Sequence, residues 1–573
     1  MIDFKDSIAG ILAARLPELT EAEIKAMVEI PQDTKMGDYA FPCFRLAKIM
    51  HKAPQQIAAG LAEEIKGEPL FAKVEQVNAY LNMFISREEM SRDTVSEVIC
   101  KGDTFGRSDI GEGKKVIVEY SSPNIAKPFH IGHIRSTVIG NSLNKIYDAL
   151  GYDVFRINHL GDYGTQFGKM ICAYRHWGNK EDVEREPIKT LLGYYTKFHV
   201  EVEDHPELED EARAIFAALE KGDPEEVALW QWFRDESLKE FNRVYKMLDI
   251  SFDSYNGESF YSDKMPRFEQ ELEDKGLMVE SQGAQVVDLE PYKLGVALIK
   301  KSDGSSLYIT RDIAAAVYRK ETYNFYKNIY VVASQQSLHF QQLFKILELM
   351  GYEDCAKGCV HVPFGLVRLE AGTMSTRHGR VVFLEDVLNK AVEKTKEIIL
   401  EKNPNAENVD EIAHQVGIGA VVFNELSNNR IKDYVFKWDH VLNFDGETGP
   451  YVQYTHARCC SLLRKADAAD AAKAADPANV DFSWLTGDAA YDLVKLLYAF
   501  PGVIAQAGER YEPSLVARHI VDIAQSFNRF YHDEHIICDN ADERVAKLAL
   551  VTAAKTAIKN GLALLGIHAP ERM

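Results

Sequence analysis

The sequence predicts an α/β protein: a parallel-sheet domain with a helical insertion, an α+β domain before it and an all-α domain after it. Three observations carry that prediction. An apolar run, KVIVEY, is followed by a helical stretch and a second strand-like run, DVFRINHL, which is a βαβ unit and therefore a piece of parallel sheet. Strand and helix alternate again over 285–402, around the buried-strand pattern NIYVVA. Beyond residue 402 the pattern is helical to the last residue.

Taken in order, residues 1–105 form the first unit. Helical periodicity runs through 3–28 and 43–66, with the turn-rich link IPQDTKMGDYAFPCF between them, and VEQVNAYLNMFIS has strand character. The polar, Gly-rich KGDTFGRSDIGEGKK marks the first boundary. The catalytic unit spans 106–400. It begins with KVIVEY and a helix IGHIRSTVIGNSLNKIYDAL, stopped by Gly151, and is interrupted by a mostly helical, acidic insertion at about 170–290. ALIKKSDGSSLYIT reads as a hairpin, and HFQQLFKILELMG and EDVLNKAVEKTKEIILEK as helices. Residues 401–573 make the helical unit, within which KADAADAAKAADPAN (465–479) is an exposed helix end or loop.

Composition sets the class. The chain has 573 residues, 46% hydrophobic and 27% charged, enough for several cores. No run of about 18 apolar residues occurs and the N-terminal apolar stretch carries acids, so a cytoplasmic enzyme without membrane contact is expected. The eight cysteines are scattered and read as reduced thiols. Cys355-x3-Cys359-x-His361 lacks a fourth ligand at a metal-site spacing and reads as core. A net charge of −21 argues against a polyanion partner until its distribution is examined: residues 180–290 hold 29 acids to 13 bases, whereas 451–573 hold 15 to 13. The charge excludes nothing outside the insertion.

The chemistry concentrates in SSPNIAKPFHIGH, which leads from a strand end into a helix start. Ligands of parallel sheets gather at such carboxyl ends, and helix starts favour phosphates. His130 and His133 share the first helical turn and can each donate to a phosphate oxygen, Gly132 permits close approach, and Lys127 adds a mobile cation. A helix start with two surface histidines is the plainer alternative.

HIGH after the first strand resembles the class I aminoacyl-tRNA synthetases, and VEYSSPNIAKPFHIGHIRSTVIGNSL resembles the arginyl-tRNA synthetases among them. NHLGDYGTQFG (158–168), YITRDIAAA (308–316), VVASQQSLHF (331–340), MSTRHG (374–379) and GIHAPERM follow in that family's order to the end of the chain. The resemblance implies a class I Rossmann-like fold, ATP and Mg2+ as co-substrate, and L-arginine and tRNA(Arg) as partners. It also implies a tRNA-contacting first domain, an anticodon-binding helical domain and a monomer. The chain departs from the pattern in its second ATP loop: Thr373-Met374-Ser375-Thr376-Arg377 lacks both lysines of Lys-Met-Ser-Lys. The family resemblance implies that Lys127 substitutes, with Arg377, His378 and Arg380 as alternatives, and that Met374 and Ser375 anchor the loop.

A site for free arginine needs a carboxylate for the guanidinium. Glu119, ending the first strand, and Asp312, four residues after Tyr308, stand at suitable places. They also read as caps, Asp312 of a helix beginning at Ile313. The resemblance implies arginine contacts at Glu119, Asn124, Tyr308, Asp312 and Gln336, and further contacts near the reacting end at Ser122 and His133. On that basis Tyr308 and Asp312 are assigned to the guanidinium, Gln336 and Asn124 to the polar backbone groups, and Glu119 to either positive end. In the helical unit, Tyr451, Tyr454, His456, Arg458, Phe527, Asn528, Arg529, Phe530 and Tyr531 are stackers and donors suited to single-stranded RNA, although most could equally pack the core. An acidic amino acid would need basic pocket residues and a cysteine substrate a zinc site, so neither fits the sequence as well. A compact nucleotidyltransferase would lack the helical tail, and a tRNA-binding paralogue without catalysis would lose adenylate formation.

Overall fold

The computed structural model describes residues 3–300, 308–369, 382–404, 407–441, 443 and 446–573. At its centre lie β4 (Lys115–Glu119), β5 (Asp153–Ile157), β9 (Lys327–Ala333) and β10 (Cys359–Phe364), all parallel, in the order β10-β9-β4-β5. Val116, Ile117 and Val118 are fully buried, as a continuous β-branched run covered on both faces requires. From β4 the chain crosses to β5 on one side and later returns to β9 on the other. The gap beyond the carboxyl ends of β4 and β9 is therefore the topological switch point, where such sheets bind ligands.

The helix Ile134–Ala149 joins β4 to β5 and is buried on nearly every face. It lies close on the strand end because Gly140 has no side chain: a Cβ there would come within 2.2 Å of the Tyr120 ring. Three of its buried polar residues reach other elements. Ser136 Oγ donates to the Val331 carbonyl (2.8 Å), Ser142 Oγ to the Leu564 carbonyl (2.9 Å), and Arg135 Nη1 to the carbonyls of Gly365 and Lys432. One helix thus ties the sheet to the C-terminal helices.

Before the sheet, β1 (Tyr39–Pro42), β2 (Phe71–Val77) and β3 (Tyr80–Ile85) form an antiparallel sheet in the order β1-β3-β2. VEQVNAYLNMFIS is thus a hairpin rather than one strand, turning at Asn78, whose φ is +55°. The helix Arg87–Lys101 docks this unit on the C-terminal helices through Ser91 Oγ to the Leu485 carbonyl. The insertion holds the helices Thr165–Trp177, Pro187–Asp204, Glu207–Glu220 and Pro224–Met247. The tail is built on Gly449–Lys465, Asp488–Arg510, Ser514–Asp533 and Ala541–Leu564, and the 465–479 segment forms a short helix, Ala468–Ala474.

The expected hairpin ALIKKSDGSSLYIT is corrected. β8 (Val296–Lys300) exists, but it pairs antiparallel with β7 (Ala284–Asp288) upstream, and Tyr308–Thr310 open the helix Tyr308–Tyr323 instead of a return strand. Alternation over LYIT does not survive because Ile309, Ile313 and Val317 continue the apolar pattern at helical spacing and are all buried.

Candidate active site

The loop after β4 is bent sharply. Ser121, Ser122 and Ala126 have φ of +71°, +48° and +56°, a conformation that side chains resist and that neighbours must enforce. Ser121 N–H donates to Ser136 Oγ (3.0 Å), and Ser121 Oγ lies 2.8 Å from both Thr137 Oγ1 and the Tyr245 hydroxyl. Ser122 N–H donates to Asn158 Oδ1, and Ala126 N–H to Ser237 Oγ. Tyr245 and Ser237 belong to the insertion helix Pro224–Met247, so the insertion braces this loop. The buried Ser122 hydroxyl has no partner among the described residues. Asn124 is exposed and lies against Gly161, where a Cβ would fall 2.0 Å from its carboxamide oxygen.

The helix start differs from a bare cluster of open N–H groups. His130 is its cap, and its Nδ1 accepts the Gly132 N–H (3.1 Å), while His133 Nδ1 accepts the His130 N–H (3.1 Å). The Gly132 N–H is thus already occupied. With its Nδ1 accepting, His130 carries its ring proton on Nε2, which becomes the donor; His133 Nδ1 also lies 3.2 Å from the His130 carbonyl. The rings are 4.0 Å apart. Burial lowers the pKa of both, that of His133 to about 3 with added repulsion from His130 and Lys127, so both are neutral at pH 7.

Across the switch point, Tyr308 and Asp312 stand one turn apart at the start of Tyr308–Tyr323, so Asp312 lies within the helix and does not cap it. Asp312 Oδ2 accepts from His339 Nε2 at 2.6 Å. Burial opposes a charge on His339, but the Asp312 hydrogen bond and charge outweigh it and raise its pKa. Gln336 is exposed in the turn Ser334–Gln336 that ends β9. Glu119 is committed differently: its Oε2 lies 2.6 Å from Nη1 of the fully buried Arg319, so its charge is largely answered within the protein.

Sequence reasoning missed Glu258. It is largely buried, 3.2 Å from Arg311 Nη1, and its pKa is pushed up to about 7 by burial, against Arg311 and with help from Asp312 and Asp162. The Lys127 charge favours the Glu258 carboxylate and disfavours a charged His133. Asp162 accepts from Ser259 N–H (2.8 Å), Ser259 Oγ (2.9 Å) and Arg234 Nε (3.2 Å), which fixes the Glu258 turn. The only signal in the sequence was a carboxylate in an Asn-Gly turn (NGES, 256–259), which is too common to single out. Met374 and Ser375 lie outside the described residues.

In the helical unit the candidate RNA contacts divide. Phe527, Phe530 and His456 are buried and serve the core, and Tyr451 and Asn528 hydrogen-bond to each other. Tyr454 and Tyr531 are exposed, and the Arg458 guanidinium lies 5.0 and 5.2 Å from their ring centres. These three line a cavity of about 650 Å³ together with Arg464, Lys465 and Arg572. Arg529 pairs with Asp492. Cys355 donates to the Ala316 carbonyl and His361 Nε2 lies 2.9 Å from the Val332 carbonyl, consistent with packing and not with a metal centre.

A parallel sheet with a histidine-capped helix start at its switch point, joined to a helical domain with an exposed aromatic and basic cavity, fits a class I aminoacyl-tRNA synthetase. Comparison with known proteins supplies the specificity. Residues 94–438 match the family of class I (R) tRNA synthetase catalytic domains, 452–573 the DALR anticodon-binding domain, and 3–85 the arginyl-tRNA synthetase N-terminal domain. The chain is 59% identical to the arginine–tRNA ligase of Clostridioides difficile and 57% identical to that of Halothermothrix orenii, each over the whole of both chains. Its fold matches the arginyl-tRNA synthetase of Thermus thermophilus with a TM-score of 0.79 at 25% identity, covering 99% of this chain and 100% of that one. The chain belongs to the arginyl-tRNA synthetase family, and its activity is that of an ATP-dependent arginine–tRNA ligase.

Proposed function

We propose the following division of labour for arginine activation and transfer to tRNA(Arg). L-Arginine lies beyond the ends of β4 and β9, its guanidinium on Asp312 and Tyr308, its ammonium and carboxylate near Asn124, Ser122 and Gln336. ATP lies over the start of Ile134–Ala149 against His130, Gly132, His133 and Lys127. Met374 and Ser375 anchor the second loop, and Mg2+ arrives on the ATP phosphates as part of the co-substrate. The arginine carboxylate attacks the α-phosphorus as the bond to pyrophosphate breaks. The 2′-hydroxyl of the terminal adenosine then attacks the arginyl carbonyl carbon, and AMP leaves.

No protein nucleophile is needed, because catalysis here is positioning plus donors aimed at charge developing on phosphate. The neutral histidines suit this: each offers an N–H without a permanent charge to trap pyrophosphate, and Lys127 supplies a positive charge. Losing one such donor costs about 3 kcal/mol of transition-state stabilisation, by analogy with oxyanion donors. Glu119 holds Arg319 in place behind the arginine site. The anticodon loop meets Tyr454, Arg458 and Tyr531, and the first 105 residues contact tRNA elsewhere. We divide the chain at about 105 and 400 and assign it as a cytoplasmic monomer. Among the described residues no helix is long and apolar enough to cross a membrane.

The observation that carries this reading is the histidine pair at the switch point of the sheet, where His130 caps the helix start and its ring lies 4.0 Å from that of His133. Pyrophosphate exchange tests it, run with each of the twenty amino acids, with and without total tRNA. The expected result is exchange with arginine alone and only with tRNA present. Exchange with another amino acid would overturn the pocket assignment.

A further inference from the structure

The insertion carries a cluster that arginine activation does not use. Cys172 and His176 are four residues apart on Thr165–Trp177, so their side chains lie on one face of that helix. This face meets Glu207–Glu220, which presents Glu211 to both. His176 Nε2 is 2.9 Å from Glu211 Oε2, and one donor atom from each of the three residues lies within 4.8 Å of the other two. We propose that Cys172, His176 and Glu211 form a binding site for a zinc-class divalent cation, with solvent as the fourth ligand.

Thiolate, imidazole and carboxylate together make a borderline-soft donor set, which selects zinc or cobalt(II) over magnesium or calcium. Tetrahedral bonds of about 2.0–2.3 Å set neighbouring donors about 3.3–3.6 Å apart, so the widest pair must close by at most about 1.5 Å while the His176–Glu211 pair opens by about half an ångström. Side-chain rotation supplies that. Cys172 is fully buried, whereas the His176 and Glu211 side chains are 42% and 41% exposed. Sulfur therefore closes the inner side, and the outer side is open to a water ligand and to metal entry.

The charges fit as well. On binding, the S–H bond breaks, the sulfur–metal bond forms and the proton leaves to solvent. A thiolate, a carboxylate and a neutral imidazole then balance a dication. The neighbouring cations are already paired: Lys169 with Glu209 (2.9 Å) and Arg175 with Glu226 (2.8 Å). The excess of acids over 180–290 raises the local cation concentration. The ion joins Thr165–Trp177, which starts directly after the Asp162 loop, to Glu207–Glu220, the third helix after it.

The test is titration of chelator-treated full-length protein with cobalt(II), followed by displacement with zinc. A thiolate-to-cobalt charge-transfer band saturating at about one equivalent, displaced by zinc and absent in Cys172→Ser, is expected. His176→Gln and Glu211→Gln change half-exposed side chains, so folding survives, and each weakens cobalt binding at least tenfold. Zinc also raises the thermal midpoint of the native chain but not of His176→Gln. No thiolate band in the native chain, or an equal zinc-dependent midpoint rise in His176→Gln and Glu211→Gln, would reduce the cluster to a plain hydrogen-bonded staple and overturn the proposal.

Discussion

Replacing Asp312 by Asn keeps the size of the side chain and deletes the charge assigned to the substrate guanidinium. The Asp312 side chain is 26% exposed and shares one oxygen with His339 at 2.6 Å. Removing one partner of a buried charged contact costs about 2–5 kcal/mol, and partial exposure places this site at about 2–4. At about 1.4 kcal/mol per decade the arginine kcat/KM falls by about 30- to 1,000-fold. No new repulsion adds to this, because His339 owes its raised pKa to Asp312 and becomes a neutral imidazole in the variant. Stability changes by less than about 1 kcal/mol, since the pair is only partly buried.

The assay is tRNA-dependent pyrophosphate exchange with arginine varied, with citrulline as competitor and a melting curve beside it. Arginine KM rises, ATP KM holds, and the preference for arginine over uncharged citrulline narrows. An unchanged arginine kcat/KM in folded protein would refute the assignment and move the guanidinium to Glu258. Glu119→Gln provides the contrast. It leaves the fully buried Arg319 without its anion, which costs about 3–5 kcal/mol of folding, so its loss appears as a lowered melting point.

Four further outcomes follow from the same geometry. Glu258 titrates near 7, and a bound cation favours its carboxylate, so arginine affinity rises with pH across about 7, by up to tenfold per unit below that pKa; Glu258→Gln removes the slope, and a flat native KM profile from about pH 6 to 8 contradicts the placement. His133 has a folded pKa of about 3 against an ordinary 6.5, so the unfolded chain binds the proton first and stability, full above about 6.5, is lost as pH falls toward 3; His133→Asn makes the acid side of a urea-midpoint profile shallower by about 1 kcal/mol or more. Gly161→Ala pushes a methyl into the Asn124 carboxamide, costs about 1–3 kcal/mol and raises arginine KM, checked by melting and exchange together. Arg458→Ala strips the cation from between Tyr454 and Tyr531 and raises the KM for tRNA at least about tenfold, with arginine KM unchanged in aminoacylation at saturating tRNA.

Much of this architecture was legible in the residues themselves. KVIVEY, NIYVVA and the helix at 134–149 are long, strongly periodic runs bounded by Gly151 and by turn residues, and each forms where the pattern places it. ALIKKSDGSSLYIT was not legible, because alternation over four residues cannot be told from the first turn of a helix whose buried face only emerges at Ile313 and Val317. The placing of His130, His133 and Lys127 together follows from one loop. Glu258 does not, since its environment is assembled from Asp162, Arg311 and Lys127, far apart in sequence. The commitment of Glu119 to Arg319 is equally long-range: nothing near either residue marks the pair.

The acidic insertion is where local charge and tertiary role part company. Its composition argues for a solvated appendage that keeps clear of phosphate, yet Tyr245 and Ser237 of its last helix hold the active-site loop, and Trp230 and Arg234 hold the Asp162 segment. Three residues of that loop with positive φ cost about 1–3 kcal/mol each, an expense only a rigid neighbour can sustain. The helix Ile134–Ala149 supplies half of the restraint through Ser136 and Thr137, and the insertion the rest. The site is therefore not complete in the βαβ unit that carries its motif. The positions of Ser122, Asn124 and the two histidines depend on the 224–247 helix staying packed. A cation at Cys172, His176 and Glu211 stiffens the same subdomain one layer further out, so its effect on catalysis runs through the precision of the loop and not through the chemistry.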